Sequence, residues 1–178
     1  RVRRGIVRTF QITEVFPELS VFENVRIGVE TAAGVNGRPW LPRAARARLA
    51  RRVDELMDTV DLSGKAERVV GELAHGDQRV VEIALALAMT PRLLLLDEPT
   101  AGMGDAETDH MVGLVRRLHA ERSLSILFIE HDMKLVFDIA QRITVLDQGR
   151  LLAEGTPAEI SADERVRTAY LGDGAAAM

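Results

Sequence analysis

The sequence predicts an α/β fold, with a mainly helical first half beside a second half in which strands and helices alternate around a parallel sheet. Three observations lead there. The runs Leu93 to Leu96, Leu124 to Ile129 and Ile143 to Leu146 are short, continuous and apolar, as strands covered on both faces are. Between the first two, Met111, Leu114, Val115 and Leu118 share one helix face, a connection of the kind that joins parallel neighbours. Earlier in the chain, Leu49, Val53, Leu56, Met57 and Val60 fall at i, i+4, i+7, i+8 and i+11, one apolar helical stripe.

Taken in order, Gly5 to Phe10 reads as a short strand and Pro17 as a loop residue. Ser20 and Glu23 form an S-x-x-E capping box that starts a helix through Val25 and Ile27. Gly34 to Pro42, with two glycines and two prolines, is a linker to the striped helix. Gly76 and Asp77 are expected to precede a helix carrying Val80, Ile83, Ala84 and Leu87, and Asp105 to cap the helix that carries Met111. After the third apolar run, Asp147-Gln148-Gly149 turns into Arg150 to Ala153 as an antiparallel hairpin. Thr156-Pro157-Ala158-Glu159 combines a capping box with proline at the first helical position. The tail from Gly172 to Met178 is small-residue and expected to fray.

Composition narrows the class. The 178 residues are 47% hydrophobic and 28% charged, enough for one core, but only 4% aromatic, so that core is built from Leu, Val, Ile and Ala. With no cysteine there is neither a disulfide framework nor a thiolate metal site. No apolar run approaches the roughly 18 residues that cross a bilayer, and no charged-then-apolar leader opens the sequence. The 23 basic and 27 acidic residues leave a net charge of -4, which gives no overall attraction to nucleic acid or anionic lipid. The basic opening, with Arg1, Arg3, Arg4 and Arg8, runs into a strand without a turn or cap. The expectation is a domain that starts in mid-sheet, the later part of a larger one.

The residues that carry chemistry gather at element ends. LLLLDEP places Asp97 and Glu98 where a buried strand leaves the sheet, and Pro99 stops its continuation. Ligands bind beyond the carboxyl ends of strands in open α/β sheets. Two adjacent carboxylates there suit a metal–phosphate site, because alternate residues of a strand point to opposite sides: one holds Mg²⁺ while the other faces an attacking water. In LAHGDQ, residues 73–78, Gly76 lies near a helix N-terminus where amides are unsatisfied and the dipole is positive. That end either receives a phosphate or is a helix-start turn with Asp77 as its cap. In ILFIEHD, His131 follows another strand end and can polarise a phosphate oxygen or hold a water, or be an ordinary polar residue. Gln11 follows the first strand.

These motifs, in this order, resemble the nucleotide-binding subunit of ABC transporters over nearly the whole chain. RTFQ ending at Gln11 resembles the Q-loop, LAHGDQ the signature motif, LLLLDE the Walker B strand with its following glutamate, residues 99–104 the D-loop, and His131 the switch histidine. GDQR, DEPTAGM, IEHDM, AEGTPAEI and TAYLG are similar to the branch that takes up branched-chain amino acids, amides and urea. The resemblance implies a P-loop NTPase-like nucleotide-binding domain. It would comprise a helical subdomain over about 12–90, a core part over 91–155, and C-terminal helices and tail over 156–178.

The resemblance further implies ATP and Mg²⁺ as cofactors. Asp97 and Gln11 would contact Mg²⁺, Glu98 would be the general base or water-positioning group, and His131 would stabilise the γ-phosphate. Leu73, Ala74, His75, Gly76 and Asp77 would bind the γ-phosphate of a nucleotide held by the opposite subunit, so a head-to-tail dimer would enclose two ATP molecules. Permease subunits, a second ATP-binding subunit and a substrate-binding protein would be its partners at the inner face of the cell membrane. The sequence departs from the family pattern in four places. Ala74 replaces a serine, His75 a glycine, Asp77 a glutamine, and Gly104 stands where the D-loop usually has aspartate.

A phosphate-binding loop needs G-x-x-x-x-G-K-[ST], whose amides and lysine hold the β and γ phosphates, and the 178 residues contain no such string. Gly64-Lys65 is the only Gly-Lys pair, and Ala66 and Thr59 break the pattern around it. The sequence therefore carries an alternative reading, a nucleotide-inert module that keeps its partner-binding helices. An ATPase acting on DNA or ribosomes would carry coiled-coil insertions or a tandem second cassette, and neither is present in this sequence. The basic stretch Arg43, Arg46, Arg48, Arg51 and Arg52 reads as a solvated helix face, as a contact toward membrane subunits or anionic lipid, or, with no aromatic interleaving, least readily as a nucleic-acid surface.

Overall fold

The computed structural model describes residues 5–9, 15–35, 40–122 and 124–171. The chain forms two compact units, Arg1–Ile129 and Glu130–Met178.

In the first unit the leucine run becomes β2 (Leu93–Asp97), flanked by β1 (Ile6–Arg8) and β3 (Ser125–Ile129), both parallel to it. The register sets Arg8 opposite Leu95 and Ile129 opposite Asp97, so all three strands run out at one edge. Burial alternates. Leu94 and Leu96 are fully covered, whereas Leu127 and Ile129 are 58% and 61% exposed. The expectation that the strands are covered on both faces is thus corrected: in β3, continuous apolarity conceals an alternation, and one face carries exposed residues.

The helices of this unit start where local chemistry dictates. The Ser20–Glu23 capping box opens α1 (Val21–Ala32), with the Glu23 amide donating to Ser20 Oγ at 3.2 Å and the Ser20 amide to Glu23 Oε2 at 2.9 Å. The Ser20 amide, and after it the Ser20 hydroxyl, hold the Glu23 carboxyl below its usual pKa. In α2 (Arg43–Thr59) the stripe is buried at Val53, Leu56 and Met57, and Val60 follows at the C-cap. α3 (His75–Ala88) begins earlier than expected, so Gly76 and Asp77 lie inside its first turn and Ala74 is the N-cap residue. α4 (Asp105–Arg122) buries Met111, Leu114, Val115 and Leu118. Asp105 is its first helical residue and not its cap, since the Thr108 amide donates to the Gly104 carbonyl at 2.9 Å.

Buried polar groups occur at two places in this unit. Asn24, wholly buried, accepts from the Phe16 amide at 2.8 Å and donates to the Phe16 and Ser20 carbonyls, each at 3.0 Å. It clamps the loop before α1 onto that helix. On α3, Arg79 and Glu82 form a buried ion pair at 2.9 Å. This pair, with Thr9, Leu96 and Pro99, lines a cavity of about 10 Å³ beneath the end of β2.

The second unit opens with α5 (Met133–Ile139), capped by Asp132 Oδ1, which accepts from the Lys134 and Leu135 amides at 2.9 and 3.2 Å. The third apolar run becomes β4 (Ile143–Asp147) and pairs antiparallel with β5 (Arg150–Gly155), so it is no member of the parallel sheet. The antiparallel partner follows from its connection. Gln148 and Gly149 both take positive φ, 45° and 77°, which closes a two-residue hairpin whose twist matches its strands. The expected capping box opens α6 (Pro157–Ala162), with proline in the first turn and the Thr156 amide donating to Glu159 Oε2 at 2.7 Å. Asp163 caps the short α7 (Glu164–Val166), and the Arg165 side chain holds its carboxyl down at about 2.

Asn24 supplies a direct test of the packing. Asn24→Ala leaves the Phe16 amide without its acceptor, while the Phe16 and Ser20 carbonyls keep the Leu19 and residue-24 amides, and urea denaturation should show a loss of about 2 kcal/mol. A change within about 0.5 kcal/mol, the range of an ordinary surface substitution, would contradict this account of the clamp.

Candidate functional site

β2 delivers its two acids differently from simple strand alternation. Asp97 is the last residue of the strand and accepts from Arg8 Nη2 at 2.7 Å, across the β1–β2 pairing. Glu98 lies past the strand with φ +44°, a left-handed conformation that costs a non-glycine residue of order 1 kcal/mol. Its amide still donates to the Ile129 carbonyl at 2.9 Å, which extends the β2–β3 ladder by one bond. The direction of Glu98 is therefore set by this turn and not by the pleat. Beyond it the Ala101 amide donates to the Glu98 carbonyl and the Met103 amide to the Thr100 carbonyl, both at 3.1 Å, and Gly102 takes φ +76°. Residues 98–104 thus fold back as consecutive tight turns into α4.

The N-terminus of α3 meets that loop. Ala74 offers no capping side chain, so the orphan amides of the first turn need other partners. One comes from α4. Glu107 Oε1 accepts from the Gly76 amide at 3.0 Å, and Glu107 Oε2 accepts from the Gly104 amide at 3.2 Å. Only glycine permits this approach, because a Cβ at position 76 would lie 2.8 Å from Glu107 Oε1. The two amides therefore already hold a carboxylate, and this donor set fits an oxygen of a phosphate. Asp77, the acid of the first turn, receives Lys65 Nζ at 2.6 Å from both of its oxygens, which offsets its charge beside the anion.

Asp97 and Glu98 at the end of β2, and Leu73, Ala74, His75, Gly76 and Asp77 at the start of α3, thus belong to one unit, linked through residues 99–104 and Glu107. His131 belongs to the second unit. Its side chain is 76% exposed, with Nδ1 3.8 Å from Glu130 Oε2. Gln11 lies outside the described residues. Among the described residues no three His, Asp or Glu side chains gather as a metal cage. Mg²⁺ does not need one, since it is commonly bound by one or two carboxylates together with substrate phosphates and water.

Three residues with structural work at this edge are missed by sequence reasoning. Arg8 reads only as part of a basic opening, and Lys65 only as a failed phosphate-loop lysine. Glu107 carries one local signal, an acid in the first turn of a helix, but nothing in its neighbourhood indicates that it reaches residue 76.

The comparisons with known proteins follow the same division of motifs. The ABC transporter family matches residues 1–101, and the branched-chain amino acid ATP-binding cassette transporter family matches residues 150–176. The high-affinity branched-chain amino acid transport ATP-binding protein BraF of Pseudomonas aeruginosa is 40% identical over 177 residues, which is 96% of this chain and 69% of BraF. The corresponding protein LivG of Escherichia coli gives the same identity and coverage. Among solved structures, cbiO1 from Clostridium perfringens, part of the ABC transporter complex cbiONQ, superposes with a TM-score of 0.77 at 27% identity. That match covers 94% of this chain and 63% of cbiO1. With strand, signature turn and closing segment all matched in order, the chain belongs to the ATP-binding cassettes of ABC transporters, within their branched-chain amino acid branch.

Proposed function

We propose that this chain energises an importer of branched-chain amino acids or related amides by hydrolysing ATP, working with membrane permease subunits, a second ATP-binding subunit and a substrate-binding protein. Its place is the inner face of the cell membrane, and none of its described helices is long and apolar enough to cross a bilayer. The observation that supports the reading is that one unit presents both chemistries a composite phosphate site needs, the acids at the end of β2 for its own nucleotide and the glycine turn opening α3 for that of an opposite copy.

Bound Mg²⁺ would offset the charge of the phosphate oxygens and of the leaving group. Asp97 and Gln11 would hold that cation. Arg8 keeps the Asp97 carboxylate oriented and would give up that contact to a bound cation. Glu98 orients a water and takes its proton as the oxygen attacks the terminal phosphorus and ADP departs. His131 steadies the phosphoryl oxygens. The Gly76 amide receives the terminal phosphate of a nucleotide held by the opposite copy, displacing the Glu107 carboxylate that occupies it. Lys65 prevents Asp77 from repelling that phosphate, which answers the departure from the usual glutamine. Ala74 contributes no hydroxyl, so this edge relies on backbone donors.

Glu98→Gln keeps the shape and removes the proton acceptor. In the full-length protein with its permease partners, ATP turnover should fall by about 100-fold or more while ATP binding is retained. Unchanged turnover would remove Glu98 from this role. The absence of a G-x-x-x-x-G-K-[ST] string from these 178 residues favours a second statement: this segment by itself holds ATP weakly and turns it over negligibly. A titration with a fluorescent ATP analogue should not saturate below millimolar concentration, and micromolar binding would overturn that statement.

A further inference from the structure

Helix α2 contains 17 residues, yet its buried residues, Val53, Leu56 and Met57, all lie in its C-terminal part. From Arg43 through Arg52 no residue is buried. This half of the helix therefore projects from the packed part of its unit. Trp40, immediately before the helix and the only tryptophan of the chain, is 88% exposed.

The charge of the segment is as one-sided as its packing. Between Thr31 and Val53 there are six arginines and no aspartate or glutamate, in a chain whose net charge is -4. Arg52 turns inward, pairing with Glu55 at 3.4 Å and donating to the Leu87 carbonyl at 3.4 Å. Arg46 donates to the Leu41 carbonyl at 3.3 Å. Arg43, Arg48 and Arg51 are exposed, and among the described residues none of them forms an ion pair. Alanine dominates the remaining positions, so this half presents no row of large apolar side chains for a protein partner to anchor on.

We propose that Trp40 and the arginine-bearing first half of α2 dock on the headgroups of an anionic phospholipid bilayer. Two features select a bilayer over other anionic partners. Tryptophan is enriched at the membrane–water interface, where its ring meets the apolar boundary and its N–H stays wet. Several guanidinium groups spread along an otherwise small-residue helix suit a diffuse negative surface, to which each basic residue near the bilayer adds about fivefold in affinity. Sequence-specific reading of a duplex nucleic acid demands a reader element that this segment lacks, and non-specific duplex binding is an outcome of the test. The surface consists of Trp40 and the first half of α2, apart from the acids of β2 and the glycine turn of α3, and its test requires no nucleotide, so its failure leaves the ATPase reading untouched.

Because Trp40 is the sole tryptophan of these 178 residues, its emission in this chain reports the contact directly. The purified protein is titrated with vesicles of phosphatidylcholine alone and of phosphatidylcholine with phosphatidylglycerol in equal parts, with sedimentation as a second readout. The anionic vesicles should shift the emission to the blue and carry the protein down, the neutral ones should do neither, and high salt should reverse the binding. The triple variant Arg43→Glu, Arg48→Glu and Arg51→Glu should bind at least about tenfold more weakly, with unchanged circular dichroism. Trp40→Phe should reduce sedimentation to a smaller extent. No shift with anionic vesicles, equal binding to neutral ones, or indifference to the triple variant would overturn the proposal. Tighter binding to a duplex oligonucleotide than to the vesicles would also overturn it.

Discussion

Strand β2 is held by a parallel neighbour on each side, and the placement of the chemistry in the first unit depends on that constraint. The two ladders fix where the strand ends relative to Arg8 and Ile129. Leu94 and Leu96 anchor it into the core, so its final residues cannot slide without exposing both. With the register fixed, Asp97 emerges within reach of Arg8, and the amide of Glu98 finds the Ile129 carbonyl. That last bond sustains the left-handed backbone at Glu98. The catalytic geometry proposed here is therefore a consequence of strand pairing before it is a consequence of any side-chain contact.

A second constraint converts this edge into a site. The 98–104 turns lead directly into α4, whose first turn presents Glu107 to the Gly76 amide of α3. The same carboxylate takes the Gly104 amide, so one side chain sets the distance between the loop after β2 and the start of the signature helix. The ion pairs around it, Arg8 with Asp97 and Lys65 with Asp77, are partly exposed. Pairs of that kind contribute little to stability in water. What they supply is orientation and local charge balance, which suits groups that, in the proposed mechanism, meet a cation or a phosphate. The buried Arg79–Glu82 pair is different in kind. It lies beneath the end of β2, and removing either member would leave a charge buried without its principal partner.

Much of this was legible in the sequence wherever the determining partners lie within four residues. The Ser20–Glu23 and Thr156–Glu159 capping boxes, the α2 stripe and the Gln148-Gly149 hairpin are of this type. The LLLLDEP run placed Asp97 and Glu98 at a strand end because apolar length and proline are local signals. Other features required the fold. That Gly76 and Asp77 sit inside the first turn of α3, and Asp105 inside that of α4, reflects helix starts that no side-chain cap marks. The apolar run at Ile143 looked like its two predecessors, yet its hairpin turn paired it with β5. Arg8, Lys65 and Glu107 act on residues 89, 12 and 31 positions away, separations that carry no periodic signal. Asn24 reads as an ordinary helix residue until the Phe16 loop folds over it.

The central claim is that the chain's own side chains stand in for the ligands of a nucleotide site, Glu107 for a phosphate oxygen and Arg8 for a cation. A structure of the full-length protein trapped with ATP and Mg²⁺, using Glu98→Gln to prevent turnover, addresses it most directly. The account predicts a terminal phosphate oxygen on the Gly76 amide with Glu107 moved away, and the cation at Asp97 with Arg8 turned aside. Bound nucleotide with Glu107 still on Gly76 and Arg8 still on Asp97 would contradict it.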